Sequence, residues 1–437
     1  MGFGATPRQT VERQIALAMS ETPWSRIGWR NLWRNRKRTV LTAFGLAVGF
    51  FAVVFIVGWT QGLMVEMVES ATSLVNGQIE IHDAEYRPDR SIYDTIGGRN
   101  GTDVDALLRA IDAEPTVTAA APRVYTGGLI SSGQATSAGM FMGIDPVREM
   151  SLSRFLDPLV EGRLPESGRN EVLVGEEMAR QLSVGIGDEL VVVASGADGS
   201  MANDLFTLVG VFRTGLVELD ATFAVMAIAD LQTLVVLPPE RIHEIAVATT
   251  DPWIAGATAE RLGSVLPPAD RPIEVVGWTT LNPAMVEYVA LGESMNFVII
   301  IVVFTIAIFG VANTMVMATY ERRREFAVML ALGATPGSVR AVVLYEAVAL
   351  GVFSLVLGAV ITFPLMVWFH NAPPDMSWAI ADVTLMGALL SPSLRVEYDV
   401  LFWIQAAVAL FATALLASLI PAWRAARVPP ADTLSAL

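Results

Sequence analysis

The sequence predicts an α-helical membrane protein: four transmembrane helices, with a large mixed α/β extracytoplasmic domain inserted between the first and second. Three observations point to that class. Of 437 residues, 53% are hydrophobic and only 17% charged, and the mean hydropathy of +0.51 is too high for an ordinary soluble domain. Four segments (40–62, 295–318, 341–369 and 400–420) contain no Lys or Arg and reach the roughly 20 apolar residues needed to cross a hydrocarbon core of about 30 Å. The basic residues outside 63–291 fall almost entirely on three connecting segments, the pattern expected of cytoplasmic flanks.

The first flank is the tail 1–39, which holds Arg8, Arg13, Arg26, Arg30, Arg34, Arg36, Lys37 and Arg38. Within it Trp24, Ile27, Leu32 and Trp33 alternate with basic residues and predict an amphipathic pre-span helix at the inner leaflet. The span at 40–62 is longer than the apolar core of a signal peptide and lacks a small-x-small cleavage site, so it is expected to be a retained anchor. The second flank, 319–340, carries Arg322, Arg323, Arg324 and Arg340, and the third, 421–437, carries Arg424 and Arg427. Placing all three inside requires four crossings, with both termini cytoplasmic and the segments 63–291 and 370–399 outside. Arg395 is the exception, next to Glu397 and Asp399.

The outer segment 63–291 has 33 Asp and Glu against 14 Arg and no Lys, so the chain's net charge of −15 originates there. Such a surface disfavours nucleic acid and anionic lipid as partners of that domain. No cysteine is present, so an ordinary hydrophobic core must hold it. Ile79 and Ile81 alternate in a short strand. Val104, Leu107, Leu108 and Ile111 follow helical spacing behind an N-cap at Thr102 or Asp103. "DELVVVAS", "LFTLVGVFRTG", "HEIAVATT" and "IEVVGWTTLN" are further strands. Together they predict a strand-helix unit built from both ends of the domain, with a β-rich insertion at about 140–228.

Between the second and third spans lies "ERRREFAVMLALGATPGSVR", with five consecutive charged residues at its start. Phe326, Met329, Leu330 and Gly333 have i, i+3, i+4, i+7 spacing, and Val328 and Leu332 widen the apolar side. Gly333 is the expected C-cap, and Thr335-Pro336-Gly337 breaks the helix before a new one starts around Ser338. So short a helix needs a surface to dock on, and composition leaves both a lipid surface and a partner protein open. The third span carries Glu346 near one end, where snorkelling and a helix–helix hydrogen bond are both open, and Pro364 near the other.

Motifs for chemistry are lacking. Lys37 is the only lysine and follows no glycine loop, so the chain has no P-loop. His82, His243 and His370 are far apart and fit no metal spacing, and no nucleophile elbow occurs. Gly185, Gly187 and Asp188 precede a strand and are better accounted for as a turn than as a phosphate cradle. The chain is therefore not expected to be an enzyme, and no catalytic, cofactor-binding or metal residue is assigned.

"ERRREFAVMLALGATPGSVRAVVLYEAVALGVFSLVLG" resembles the connection between the second and third spans of MacB/FtsX-type ABC transporter permeases, including Leu332–Ala334 and Glu346. "GWRNLWRNRKRTVLTAFGLAVGF" is similar to the family's pre-span helix and first span. Pro421, Ala425, Ala426, Arg427 and Pro430 match its closing Pro-x-x-x-Ala-Ala-Arg-x-x-Pro pattern. "NGQIEIHDAEY", "EGRLPESGRNEVLVGEEMARQLSVGIGDEL" and "FTLVGVFRTGLVELD" resemble the lipoprotein-releasing (LolC/LolE-like) branch. The region after His370 is longer than in many members.

The resemblance implies a multi-pass permease of the bacterial inner membrane with its large domain in the periplasm. It implies a second permease copy, identical or paralogous, and two ATPase subunits that hold the ATP and Mg. Glu321, Arg322, Arg323, Arg324, Glu325 and Phe326, with Met329, Leu330, Leu332, Gly333 and Ala334, then form a coupling helix seated on the ATPase. Mechanotransmission would drive release of a lipoprotein to a periplasmic carrier. Phe50, Phe51, Phe55 and Met64, with Met67, Met295 and Phe297, are expected to line a cavity for acyl chains. Two alternatives stay open: efflux with a periplasmic adaptor, and FtsX-like signalling to a periplasmic enzyme.

Overall fold

The computed structural model describes residues 36–73, 77–98, 102–153, 159–267, 272–378, 383–385, 388–390 and 393–435. All but the end of the pre-span helix expected in 1–39 lies outside them, as does part of the 370–399 loop. In chain order the elements begin with α1 (Arg36–Ala71), β1 (Ile79–Asp83), α2 (Val104–Asp112), β2 (Val117–Ser131), β3 (Thr136–Ile144), α3 (Pro146–Leu152), β4 (Leu159–Gly162) and β5 (Glu171–Gly175). Next come α4 (Glu176–Leu182), β6 (Glu189–Ser195), β7 (Met201–Phe212), α5 (Val217–Thr222), β8 (Phe223–Ala227), α6 (Ile228–Leu234), β9 (Glu244–Thr249), α7 (Ala255–Val265) and β10 (Ile273–Gly277). The remainder is α8 (Trp278–Leu281), α9 (Pro283–Glu321), α10 (Arg323–Ala331), α11 (Pro336–Asn371), β11 (Val383–Leu385), β12 (Ala388–Leu390), α12 (Val400–Ala425) and α13 (Pro430–Ser435).

The chain divides into a helical unit, made of the chain up to Leu63, Ala290–Met376 and the chain from Ser393 on, and an α/β unit, Met64–Val289 with Ser377–Pro392. In the α/β unit β1 lies between β9 and β10, antiparallel to both, and β9 pairs with the first half of β2. The rest of β2 changes partners to β3 and β6. From there β3, β8, β5, β7 and β6 follow in order, and β6 returns to β2, so these strands close a ring without a free edge. The β2–β3 hairpin belongs to that ring, so its start precedes the boundary near 140 expected from sequence, where strand breaks were visible but pairing was not.

On the open part, α2 buries Leu107, Leu108 and Ile111, its N-terminus capped by the Asp103 carboxylate, and α7 buries Ala255, Ala259 and Leu262. Gly185 and Asp188 form a turn into β6, the Asp188 carboxylate accepting from the Gly185 N–H at 2.8 Å.

A charged cluster lies buried among β1, β2, β9 and α3. Arg123, 1% exposed, donates to Glu149 at 2.5 and 3.2 Å and lies 3.7 Å from Glu244. The Tyr125 hydroxyl donates to Glu244 at 3.0 Å, and Arg87 and Arg90 both reach the buried Glu80. His243 accepts from the Tyr125 N–H at 2.9 Å through Nδ1, and its Nε2 faces the Ile92 carbonyl at 3.1 Å. Burial pushes His243 down to about 4, while burial and the charge of Glu80 push Glu244 up to about 7.

In the helical unit, α1, α9, α11 and α12 are long and apolar enough to cross a membrane. Each outruns the corresponding span read from sequence, because α-helix hydrogen bonding continues into polar ends that hydropathy does not register. Small residues allow close packing: Gly351 of α11 faces Phe411 and Ala414 of α12, and Gly358 faces Ala47 and Phe50 of α1. Ser354 and Ser418 are fully buried, each donating within its own helix at 2.7 Å. α11 continues through Pro364.

The strand of chain before α12 is held against α1. The Glu397 N–H donates to the Gly58 carbonyl at 2.9 Å, and a Cβ on Gly62 would overlap the Arg395 carbonyl. His370 Nδ1, at the end of α11, bonds the Val396 carbonyl at 2.9 Å, and Arg395 pairs with Glu397 at 2.9 Å. Asp399 caps α12 by accepting from the Phe402 N–H at 3.0 Å.

Two outcomes are expected. Glu244, raised from its ordinary 4.5, contributes stability below about pH 4.5 that is lost as pH rises through about 7. His243 contributes in the opposite sense, losing stability as pH falls from 6.5 toward 4, and does so equally in wild type and in Glu244→Gln. The melting temperature of Glu244→Gln relative to wild type should therefore be higher at pH 8 than at pH 5 in the purified full chain; a difference independent of pH counts against the buried carboxyl. Gly62→Val forces the 393–399 segment off α1 and should cost about 1–3 kcal/mol, read as a lowered melting temperature and earlier proteolysis of that segment.

Candidate coupling site

The site is the reversal between α9 and α11. α9 ends at Glu321, and Arg322 leaves helical geometry at φ −99°, ψ 13°. α10 then covers Arg323–Ala331 and stops at Gly333, whose φ of +96° is open to glycine and strained for other residues. The Gly333 N–H donates to the Leu330 carbonyl at 3.1 Å and the Ala334 N–H to the Met329 carbonyl at 3.0 Å, the Schellman pairing. Thr335 caps the next helix through the Ser338 N–H at 3.2 Å, and Pro336 is its first residue.

Arg322 anchors this reversal. Its guanidinium, 12% exposed, donates to Glu325 at 3.0 Å and to Glu346 of α11 at 2.8 Å, and lies 5.2 Å from the centroid of the Phe326 ring. Glu346 is therefore the partner in an interhelical ion pair. Glu321 pairs with Arg38 of α1 at 2.6 Å, a contact between residues 283 positions apart that sequence spacing does not register. Charge-assisted bonds of this kind fix the direction in which α10 leaves α9.

The apolar face of α10 is divided between two environments. Phe326 and Ala327 are fully buried in the chain's own helices, and Met329 and Leu330 pack against the same core. Ala334 is buried as well. Val328 is 43% exposed and Leu332 70% exposed, alongside the exposed Arg323, Arg324 and Ala331. This corrects the docking face expected from sequence: Phe326, Met329 and Leu330 hold the helix in place, and Val328 and Leu332 are the apolar groups offered outward. Helical periodicity identifies an apolar side but cannot say how much of it the same chain covers. α10 also packs against α13.

The residues expected to line one acyl cavity are divided as well. Phe50 is buried in the helical core beside Gly358, while Met64 and Met67 are buried in the core of the α/β unit. Those three are packing residues in this structure. Phe51 and Phe55 are half-buried and stack at 5.6 Å, with Phe55 5.2 Å from Phe369, and Met295 and Phe297 are exposed. The sequence shows where α1 starts to be apolar but not where it passes from one core to another.

Among the described residues Asp83, Glu85 and Asp94 bring carboxylate oxygens within 4.8 Å of one another, and Asp83 already accepts from the Glu85 N–H at 2.9 Å.

Residues 39–265, more than half of the chain, match the MacB-like periplasmic core domain, and residues 297–430 match the FtsX-like permease C-terminal domain. The chain therefore belongs to the FtsX-like ABC transporter permeases that carry a MacB-like periplasmic core domain. Among its relatives, a lipoprotein-releasing system transmembrane protein LolC of Neisseria meningitidis is 26% identical, over 76% of this chain and 80% of that protein. A LolE of Haemophilus influenzae is 24% identical over 75% of this chain and 80% of that protein. The solved periplasmic region of MacB from Actinobacillus actinomycetemcomitans aligns with a TM-score of 0.34 at 14% identity, covering 51% of this chain and 97% of that one.

The division of α10 into an inward and an outward face has a direct test. Phe326→Ala should lower stability by about 3–5 kcal/mol, whereas Leu332→Asp, at an exposed position, should change it by less than about 0.5 kcal/mol. Thermal unfolding of the isolated permease in detergent checks both. Equal losses at the two sites would overturn the assignment.

Proposed function

We propose that this chain is the permease subunit of an ATP-driven complex that releases lipoproteins from the bacterial inner membrane by mechanotransmission. The observation that carries the proposal is α10, locked to α11 through Arg322 and Glu346 and wedged by Phe326, yet presenting Val328 and Leu332 outward. A force applied to that face moves α10 and α11 together, since rigid packed elements transmit displacement rather than absorb it. The names of the LolC and LolE relatives support lipoprotein as the cargo.

In this reading α1, α9, α11 and α12 all cross the membrane, both termini and α10 are cytoplasmic, and the α/β unit is periplasmic. The distribution of basic residues supports that orientation. Two separate ATPase subunits hold ATP and Mg and seat on α10, consistent with a chain whose one lysine follows no glycine loop. A second permease copy faces α9, whose Ile301, Ile306 and Phe309 are exposed. Phe51, Phe55, Met295 and Phe297 remain as contacts for acyl chains, and a periplasmic carrier receives the cargo.

Three measurements test this. In nanodiscs with a labelled lipoprotein and the cognate ATPase, release to a soluble acceptor should require ATP; release without ATP, or none with it, sinks the lipoprotein reading. Leu332→Asp buries a charge at the ATPase contact and should reduce ATPase-subunit copurification by tenfold or more, on the order of 2 kcal/mol. Because the native chain has no cysteine, Ser167→Cys should label with an impermeant maleimide in intact spheroplasts and Ala431→Cys only after the membrane is opened. Labelling of Ala431→Cys from outside would invert the topology.

A further inference from the structure

A groove of about 240 Å³ lies where the C-terminal ends of α9 and α12 meet. Its walls include Tyr320 and Arg323 on one side and Arg424, Arg427 and Val428 on the other. The guanidinium of Arg427 lies over the Trp423 ring, 3.5 Å from its centroid, which holds that side chain in a defined place. Among the described residues, no carboxylate forms an ion pair with Arg323, Arg424 or Arg427, in contrast to Arg38 and Arg322 nearby. Three arginines thus line one concavity with no carboxylate paired to them among the described residues.

We infer that this groove binds the phosphate headgroup of an anionic phospholipid. Each guanidinium presents a planar fork of N–H donors suited to phosphate oxygens, and three of them favour a ligand of net negative charge. The surroundings select a lipid as the source of that phosphate. Immediately before the groove, both helices expose apolar side chains: Met317 at 57% on α9, Leu419 at 51% and Ile420 at 60% on α12. These form a path for acyl chains. Tyr320 and Trp423, 70% and 50% exposed, are the aromatic types that settle at headgroup level. Apolar surface, aromatic pair and arginines therefore follow one another in the order of a lipid's tails, glycerol region and phosphate. The inference rests on the membrane reading above for the orientation of the helices. A lipid held between α9 and α12, beside Arg323 at the start of α10, would brace the side of the bundle on which the coupling surface lies.

The test uses the full-length permease in neutral detergent, titrated with phosphatidylglycerol or phosphatidylcholine, with bound lipid counted by native mass spectrometry. Phosphatidylglycerol should be retained in preference to phosphatidylcholine, and millimolar inorganic phosphate should not displace it. The double variant Arg424→Gln/Arg427→Gln should need roughly thirtyfold more phosphatidylglycerol for half-occupancy, about 1 kcal/mol for each basic group. Arg424→Lys/Arg427→Lys should retain most of the preference, which separates loss of charge from loss of fold. Equal retention of the two lipids, an unchanged half-occupancy in the Gln variant, or displacement by inorganic phosphate would each overturn the assignment. Lipid counting needs neither ATPase nor cargo, so its outcome is independent of the lipoprotein-release assay.

Discussion

The Arg322–Glu346 ion pair is the contact on which the reversal between α9 and α11 depends. A glutamate placed within a hydrophobic helix is costly, and an arginine nearly withdrawn from water is costly too; at 2.8 Å each offsets the other's desolvation. Arg322 sits at the one residue where the chain leaves α9 and enters α10, so satisfying Glu346 also sets the angle of the reversal. Glu325 and the Phe326 ring occupy the remaining sides of the guanidinium. Without that anchor a helix of nine residues would be marginal.

The same anchoring makes α10 a rigid extension of the bundle. Its inward side is used up by packing against its own chain, which leaves Val328 and Leu332 on the outside with little freedom to retract. A short helix resting only on lipid would have no reason to bury Phe326 completely within protein. The 393–399 segment does comparable work elsewhere in the helical unit, tied to α1 through Gly58 and to α11 through His370. The close approach at Gly58 and Gly62 gives the long region after α11 a structural role, bracing α1 and α11 ahead of α12.

The α/β unit is stabilised differently. Lacking cysteine, it relies on one large apolar core with two smaller clusters beside it, and on a sheet whose β2 serves both an open part and a closed ring. At the junction of strands the core contains buried charge, and Arg123 with Glu149 and Glu244 must all be paired for the interior to be tolerable. Ionisable groups in such a place link the unit's stability to pH in opposite directions, through His243 and Glu244, which flattens the net response across the mildly acidic range.

Much of this was legible in the residues themselves. The lengths of the apolar runs, the arginine clusters, the helix stop at Gly333 and a cap at Thr102 or Asp103 are local features. Each is dictated by hydrocarbon thickness, by backbone dihedral preference or by the chemistry of one side chain. Tertiary structure decided whatever depended on which surfaces meet. Phe326 and Leu332 look alike in an amphipathic pattern, and only the bundle makes one a wedge and the other an outward contact. Met67 and Phe50 lie on one continuous helix and yet serve different cores. Arg38 with Glu321, and the three arginines around one groove, come together from distant parts of the chain because helices bring their ends together, and no spacing along the sequence encodes that encounter.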